Sequence, residues 1–265
     1  MSSLTRMLSI LGLFSKEHTA LTADTIADEL KLTRTTCYRY IKELMEVGLL
    51  VSNMGAYGLG PRIIQLDYQI RETDPLLNIG RDVLAELVAS TGGIGLLATI
   101  YDSQIINIHQ EGDDRELALT YSRGKAVPTF RSASSKVILA HLKQARLKRI
   151  WKMHQHEADV GAIGPDWESF KVHMQTIKDH GYWVSHGELD YGVDGVAAPI
   201  LYRDGTVAGS MTLVFSHERF CLYNEVFLGQ LVMGAATRVG DMLPANVAMD
   251  AQSATAKPSG GLDME

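Results

Sequence analysis

Residues 21–60, LTADTIADELKLTRTTCYRYIKELMEVGLLVSNMGAYGLG, decide the fold of the N-terminal part of the chain. Thr22 offers a hydroxyl to an early backbone N–H, as helix N-caps do. Ile26, Ala27 and Leu30 then recur at helical spacing. Lys31 and Leu32 make a short turn, and Thr33 caps a second helix. That helix sets Cys37, Ile41 and Leu44 on one face, with Tyr40 and Val47 flanking. Arg34, Thr35, Tyr38, Arg39 and Lys42 fall on the other face. Gly48 stops it. Residues 49–52 and 56–59 read as strands around Asn53-Met54-Gly55, a turn with the residues a hairpin needs. The pattern is helix, tight turn, second helix and a two-stranded wing.

The outward face of the second helix carries the functional signal. Between residues 33 and 42 lie the cations Arg34, Arg39 and Lys42 and no anion, with the hydroxyls of Thr35, Thr36 and Tyr38 between them. Cations neutralise phosphates, and hydroxyls bind phosphates or base edges. A helix lying in a major groove wants this mixture. An ordinary solvated helix would also be polar here, but it has no need of a wing. Arg34, Thr35, Thr36, Tyr38, Arg39 and Lys42 are therefore the expected contacts to double-stranded DNA.

The chain has 265 residues, two domains' worth. With 46% hydrophobic and 21% charged residues it has an ordinary globular composition. There is no apolar run of membrane-spanning length and no signal-peptide pattern, so a cytoplasmic protein is expected. Two cysteines, Cys37 and Cys221, exclude a disulfide framework. The net charge of −6 looks wrong for a DNA binder. Residues 1–60 hold six Lys/Arg and six Asp/Glu, however, so all the excess acid lies beyond them. A local positive face suffices for DNA binding, and two copies would double a modest footprint.

Before the quoted stretch, Leu4, Met7, Leu8, Leu11 and Phe14 give an amphipathic helix over residues 4–14. After it, Pro61 opens a helix to Thr73 with Ile63, Leu66 and Ile70 in one stripe. That helix has no core of its own, so it is a linker, a dimer contact, or both. Asp74-Pro75 breaks that helix and marks the domain boundary. The expected domains are a DNA-binding unit over 1–60, a linker helix over 61–74, a second domain over 75–243 and a disordered tail over 244–265. In the second domain, helices are expected at 76–90, 132–141, 145–154, 166–179 and 222–242. Strands are expected at 94–101, 104–110, 117–121, up to 186, 196–202 and 207–215, with a turn at Arg203-Asp204-Gly205. That is an α/β pattern of the α+β kind, an antiparallel sheet flanked by helices.

The last strand is informative. Val207, Gly209, Met211, Leu213 and Phe215 alternate with Ala208, Ser210, Thr212 and Val214. The first set suits packing under helices. The second is small and partly polar, and suits either a ligand cavity or a closely covered sheet face. Other candidates are weaker. His154-x-His156-Glu157-x-Asp159 resembles metal ligands without a second spaced pair, so no metal is expected. His186 and Glu188 can be pocket groups or ties at a strand end. Asn107 and His109 share one strand face as cross-strand or cavity groups. Cys37 reads as a small core residue. Nucleophile elbow, phosphate loop, H-E-x-x-H and C-x-x-C are all absent, so neither an enzyme nor a cofactor is expected.

The helix–turn–helix and wing, followed in order by GKAVPTFRSASSK (124–136) and GYWVSHGELDYGVDGVAAPI (181–200), resemble the IclR-type transcriptional regulators over nearly the whole chain. The resemblance implies a winged helix-turn-helix followed by a GAF-like effector domain. Its partners would be operator DNA, a small-molecule effector and further copies of the chain, as a homodimer or homotetramer, with no membrane. It also implies an effector cup at Ala133, Ser134, Ser185, Gly195, Thr212 and Val214, to which the strand alternation adds Ser210. Of the nearby cations Arg123, Lys125 and Arg131, Arg131 is the preferred partner for an effector carboxylate. The chain departs from the family pattern at Ala133-Ser134-Ser135, at Phe130, where histidine is common, and at Gly195, where some members have cysteine. The expected function is a ligand-responsive regulator of a catabolic or metabolic operon. A small organic acid, with aromatic catabolites among the candidates, is the expected signal. The alternative is a metabolite-binding α/β module that uses its N-terminal domain for dimerisation or protein contacts.

Overall fold

In the computed structural model, which describes residues 2–113, 117 and 119–245, the chain divides into two units at Asp74/Pro75. The first unit opens with α1 (Ser3–Leu8), which continues as a 3-10 turn over Ser9–Leu13 in place of one regular helix. Gly12, with the poorest helix propensity short of proline, sits in that turn. A short strand β1 (Leu21–Thr22) leads into α2 (Ala23–Glu29) and α3 (Arg34–Glu46). Both helices are capped as their sequences demand: Thr22 Oγ1 accepts from Thr25 N at 3.2 Å and Thr33 Oγ1 from Thr36 N at 3.3 Å. Lys31 takes φ +52° to turn between them. Ile10, Ile26, Cys37, Ile41, Leu44 and Leu50 fill the core.

The wing is β2 (Leu50–Asn53) and β3 (Ala56–Leu59), joined through Met54 and Gly55, both at positive φ, with β1 on the other edge of β3. Gly60 is forced by a close approach. A Cβ there would stand 2.1 Å from the Gly48 carbonyl oxygen. The unit ends with α4 (Pro61–Thr73), which buries no residue and exposes Ile64, Tyr68 and Ile70.

The second unit is a six-stranded antiparallel sheet with helices on both faces. In chain order its elements are α5 (Pro75–Thr91), β4 (Ile94–Tyr101), β5 (Gln104–Glu111), β6 (Ala126–Val127), α6 (Ala133–Ala140), α7 (Gln144–His154), α8 (Ala158–Ile163), α9 (Trp167–His180), β7 (Trp183–His186), β8 (Val193–Leu201), β9 (Val207–Ser216), α10 (His217–Phe220) and α11 (Glu225–Met242). The strand order is β6-β5-β4-β9-β8-β7. Leu84, Met211, Leu213, Phe215, Leu228 and Val232 belong to the core under α5 and α11. Ile105, Val137, Ile138, Phe170 and Ala197 belong to the core on the α6–α9 side.

Three expectations change. Of residues 117–121, the described ones form no strand, and β6 at Ala126–Val127 takes the sheet edge by pairing with Ile105 and Ile106. The segment before it is held away from the ladder by side-chain bonds described below. The β9 alternation runs from Gly209 to Phe215 but breaks at Ala208, where a register shift against Ile200/Leu201 moves that residue into the core under α5 and α11. β8 also begins earlier than expected, at Val193. Of the expected tail, residues 246–265 lie outside the described residues.

Candidate nucleic-acid interface and ligand cavity

The first site is the outer face of α3. Thr35, Tyr38, Arg39 and Lys42 are exposed along it, with Arg34 at its start. Tyr38 presents its ring to solvent at 53% exposure, too much for a core aromatic. Arg39 stands 5.4 Å from the ring centre of Tyr40. Arg34 Nε lies 2.9 Å from Asp24 Oδ1 and Lys42 Nζ 3.7 Å from Glu46 Oε1. Both pairs are exposed, so water screens them and phosphates can displace the carboxylates. Thr36 is spent on the helix cap, its hydroxyl accepting from that of Thr33 at 2.9 Å. Behind this face the Cys37 thiol gives its hydrogen to the Ala23 carbonyl at 3.3 Å, and burial, helped by Asp24, raises its pKa. Cys37 is thus an inert packing group.

The second site is a cavity of about 60 Å³ on the α6 side of the sheet. Its floor is Leu96, Asn107, Gly195, Thr212 and Val214 from the four central strands, with Ser185 from β7. Its wall is the start of α6, at Ser132, Ala133 and Ser134. Its roof is two loop segments, carrying Leu119 and Tyr121 on one side and Leu189 and Asp190 on the other. The Asp190 carboxylate clasps the roof by accepting from Thr120 N at 3.1 Å and from the Thr120 hydroxyl. Lys125 Nζ donates to the Thr120 carbonyl at 2.7 Å, and Asn107 Nδ2 to that of Tyr121 at 2.5 Å. These bonds hold residues 119–125 over the cavity and off the sheet edge.

Among the described residues, no Lys, Arg or His side chain lines the cavity. Its positive element is the N-terminus of α6. Ser132 Oγ caps the helix by accepting from Ser135 N at 3.0 Å, and every residue from Ala133 to Ala140 is buried. The first N–H groups of such a helix have no intrahelical acceptor, and the aligned peptides carry partial positive charge there. Behind the wall, buried Lys136 donates to both carboxylate oxygens of Glu188, at 2.7 and 2.8 Å. His173 sits beside this pair with its pKa lowered, first by burial and then by Lys136, against an upward pull from Glu188.

A family model described as "IclR helix-turn-helix domain" matches residues 3–53, and one described as "Bacterial transcriptional regulator IclR C-terminal" matches residues 71–240. The chain belongs to the IclR family of bacterial transcriptional regulators. Among curated relatives, a probable HTH-type transcriptional regulator ArcR of Halobacterium salinarum is 27% identical over 83% of this chain and 86% of its own. The HTH-type transcriptional regulator XynR of Escherichia coli is 25% identical over 80% and 84%. An IclR homolog from Microbacterium hydrocarbonoxydans, solved in complex with 4-hydroxybenzoate, superposes with a TM-score of 0.74 at 19% identity, covering 91% of this chain and 98% of that one.

The residues expected to form an effector cup, Ala133, Ser134, Ser185, Gly195, Thr212 and Val214, all line one cavity. Two expected neighbours do not. Ser210 lies one layer below, its hydroxyl 3.1 Å from that of Ser134, where it ties α6 to β9. Arg131 turns away and gives its guanidinium to the Glu188 carbonyl, at 3.1 and 2.6 Å, with Asp159 at 3.9 Å. The sequence shows a cation near the motif but not which way a long side chain reaches. Asn107 lines the cavity while His109 does not, because the β4–β5 register shifts between Leu97 and Ala98; His109 lies 3.5 Å from Glu111. His154 pairs with Glu157 at 2.7 Å, and among the described residues no His/Cys/Asp/Glu group of three or more could hold a metal ion. No helix among them is long and apolar enough to cross a membrane. Asp190 and the roof it clasps were missed by sequence reading, since nothing local marks a bond to Thr120.

Proposed function

We propose that this IclR-family regulator reads operator DNA with the outer face of α3 in two or more assembled copies, and that a compact organic acid in the cavity is its signal. The observation that carries the acid is the start of α6 facing a largely apolar cavity that has no side-chain cation among the described residues. A carboxylate finds there unspent N–H donors and a favourable dipole end. The 4-hydroxybenzoate held by the solved relative is a member of the same chemical class. The cavity's own acid, Asp190, is already engaged with Thr120, so it does not oppose an incoming anion as a free carboxylate would. Ser134 and Ser185 stand in the lining with no histidine among the cavity residues to activate them, which supports binding over turnover. Action on DNA in the cytoplasm completes the reading.

Effector binding acts by favouring one arrangement of the DNA-reading units over another, by no more than its differential affinity for the two. The test is to titrate the operator complex with organic acids, comparing wild type with Thr212→Leu. The larger side chain fills the cavity floor, so the response to the true effector disappears while operator affinity stays. Equal responses in both proteins would place the effector elsewhere.

A further inference from the structure

Two polar atoms in the cavity lack partners among the described residues, although both side chains are almost fully buried: Asn107 Oδ1 and Thr212 Oγ1, in residues 2% and 4% exposed. Buried polar atoms are rarely left so, because each forfeits its hydrogen bonds with water. The two differ in what they accept. A threonine hydroxyl both donates and accepts, so almost any polar ligand satisfies it. Asn107 Oδ1 only accepts, and its orientation is locked. The other half of the amide is spent on the Tyr121 carbonyl. The backbone N of Asn107 donates to the Lys125 carbonyl at 3.2 Å, and its own carbonyl accepts from Gly124 N at 2.8 Å. The amide cannot flip without breaking its hold on the roof.

We infer that Asn107 Oδ1 selects an effector bearing a hydroxyl at the end away from its acid group, a hydroxylated monocarboxylic acid over its unhydroxylated analogue. This rests on the reading of the cavity as an acid site. A carboxylate cannot face Asn107 Oδ1, because neither oxygen has a proton to give, so the acid end takes the α6 wall and the donor end takes Asn107. The sheet sets the span. Asn107 pairs with Ala98, and Ala98 with Ser210, whose hydroxyl meets Ser134 at the start of α6. Asn107 is therefore two strands from the helix start, about 10 Å between backbones. Side chains reaching inward shorten that to the length of a ring or short chain between acid and hydroxyl. A site built to pair a hydroxyl rejects the analogue lacking it much more strongly than an apolar pocket rejects a missing methylene.

The test uses matched probes on the full-length protein, followed by calorimetry: 4-hydroxybenzoate against benzoate, and 3-hydroxypropionate against propionate. The hydroxylated member of at least one pair should bind about ten-fold tighter or more. In Asn107→Leu and the smaller Asn107→Ala, each checked by thermal melting, the same acids should still bind but the preference should fall below about three-fold. Wild-type affinities equal within two-fold in both pairs would overturn the inference and leave the acid site standing. A preference that survives in both folded variants would also overturn it, since another group would then be reading the hydroxyl. Failure of all four probes to bind, or binding unaffected by Thr212→Leu, would remove the acid reading and this inference with it.

Discussion

Lys136, His173 and Glu188 form a charged knot behind the cavity wall, and their couplings are measurable. Lys136 is 8% exposed and depends on Glu188 for both its hydrogen bonds to a carboxylate. Removing one partner of such a pair strands the other charge, at about 3–5 kcal/mol, whereas replacing both with apolar groups costs less. Glu188→Ala should therefore destabilise the second unit more than the double change Lys136→Met, Glu188→Leu, as read by denaturant melts. His173 and His141 both have lowered pKa values, with burial the first cause in each. A histidine whose folded pKa lies below its unfolded value contributes stability present above the unfolded value, near 6.5, and lost as pH falls. The melting temperature of the second unit should drop between about pH 7 and pH 5, and His173→Gln should flatten that drop. Exchanging Glu188 for glutamine removes the pull that favours the charged imidazole, so the drop should steepen in that variant. None of this knot was legible residue by residue. Sequence pattern placed Lys136 on a helix and Glu188 near a strand end, but 52 positions separate them and no periodicity links them.

At the scale of the element, α3 is where sequence and structure agree most closely. Its caps, turn and buried face come from contacts within a few residues, which spacing reports faithfully. The roof over the cavity is the opposite case. Residues 117–121 look like a strand, but Asn107 and Asp190 hold the segment through long-range bonds that pattern cannot carry. The proposed DNA-reading role of α3 gives graded expectations. Arg34→Ala or Arg39→Ala, where the arginine reads a base, should cost about 1–3 kcal/mol of operator affinity and relax specificity at one position. Lys42→Ala should weaken all sequences alike and flatten the salt dependence, as a phosphate contact does. Asp24 adds a further test. It pairs with Arg34 at 2.9 Å in the free protein, so Asp24→Asn should release the arginine and tighten operator binding several-fold at low salt, an effect that fades as salt is raised. Anisotropy titrations over a salt series distinguish all of these.

For the whole molecule, the charge balance sets the terms of assembly. With no net positive charge in residues 1–60, one copy offers few phosphate contacts, and affinity and selectivity should come from two copies on a roughly two-fold symmetric site. The exposed apolar residues of the linker helix supply a surface for that. Ile64, Tyr68 and Ile70 on α4 are 73%, 62% and 53% exposed, more apolar area than an isolated helix keeps in water without penalty. Sedimentation at micromolar concentration should show no stable monomer, and Ile64→Glu with Ile70→Glu should produce one that binds the operator poorly. A wild-type monomer that holds a half-site tightly would be incompatible with this picture.

The order of strands in the second unit has a consequence in time. The centre of its sheet joins Ile94 to Val214 and Ala98 to Ser210, so the cavity floor does not exist until β9 has left the ribosome. The winged helix closes through pairs lying between Leu21 and Leu59. At ordinary rates of synthesis the winged helix is finished about 10–30 s before the cavity. A chain interrupted in that interval, by a premature stop or a protease, keeps the winged helix and lacks the cavity. On the proposed function, fragments that still pair two copies through α4 would compete for the operator and be deaf to the signal.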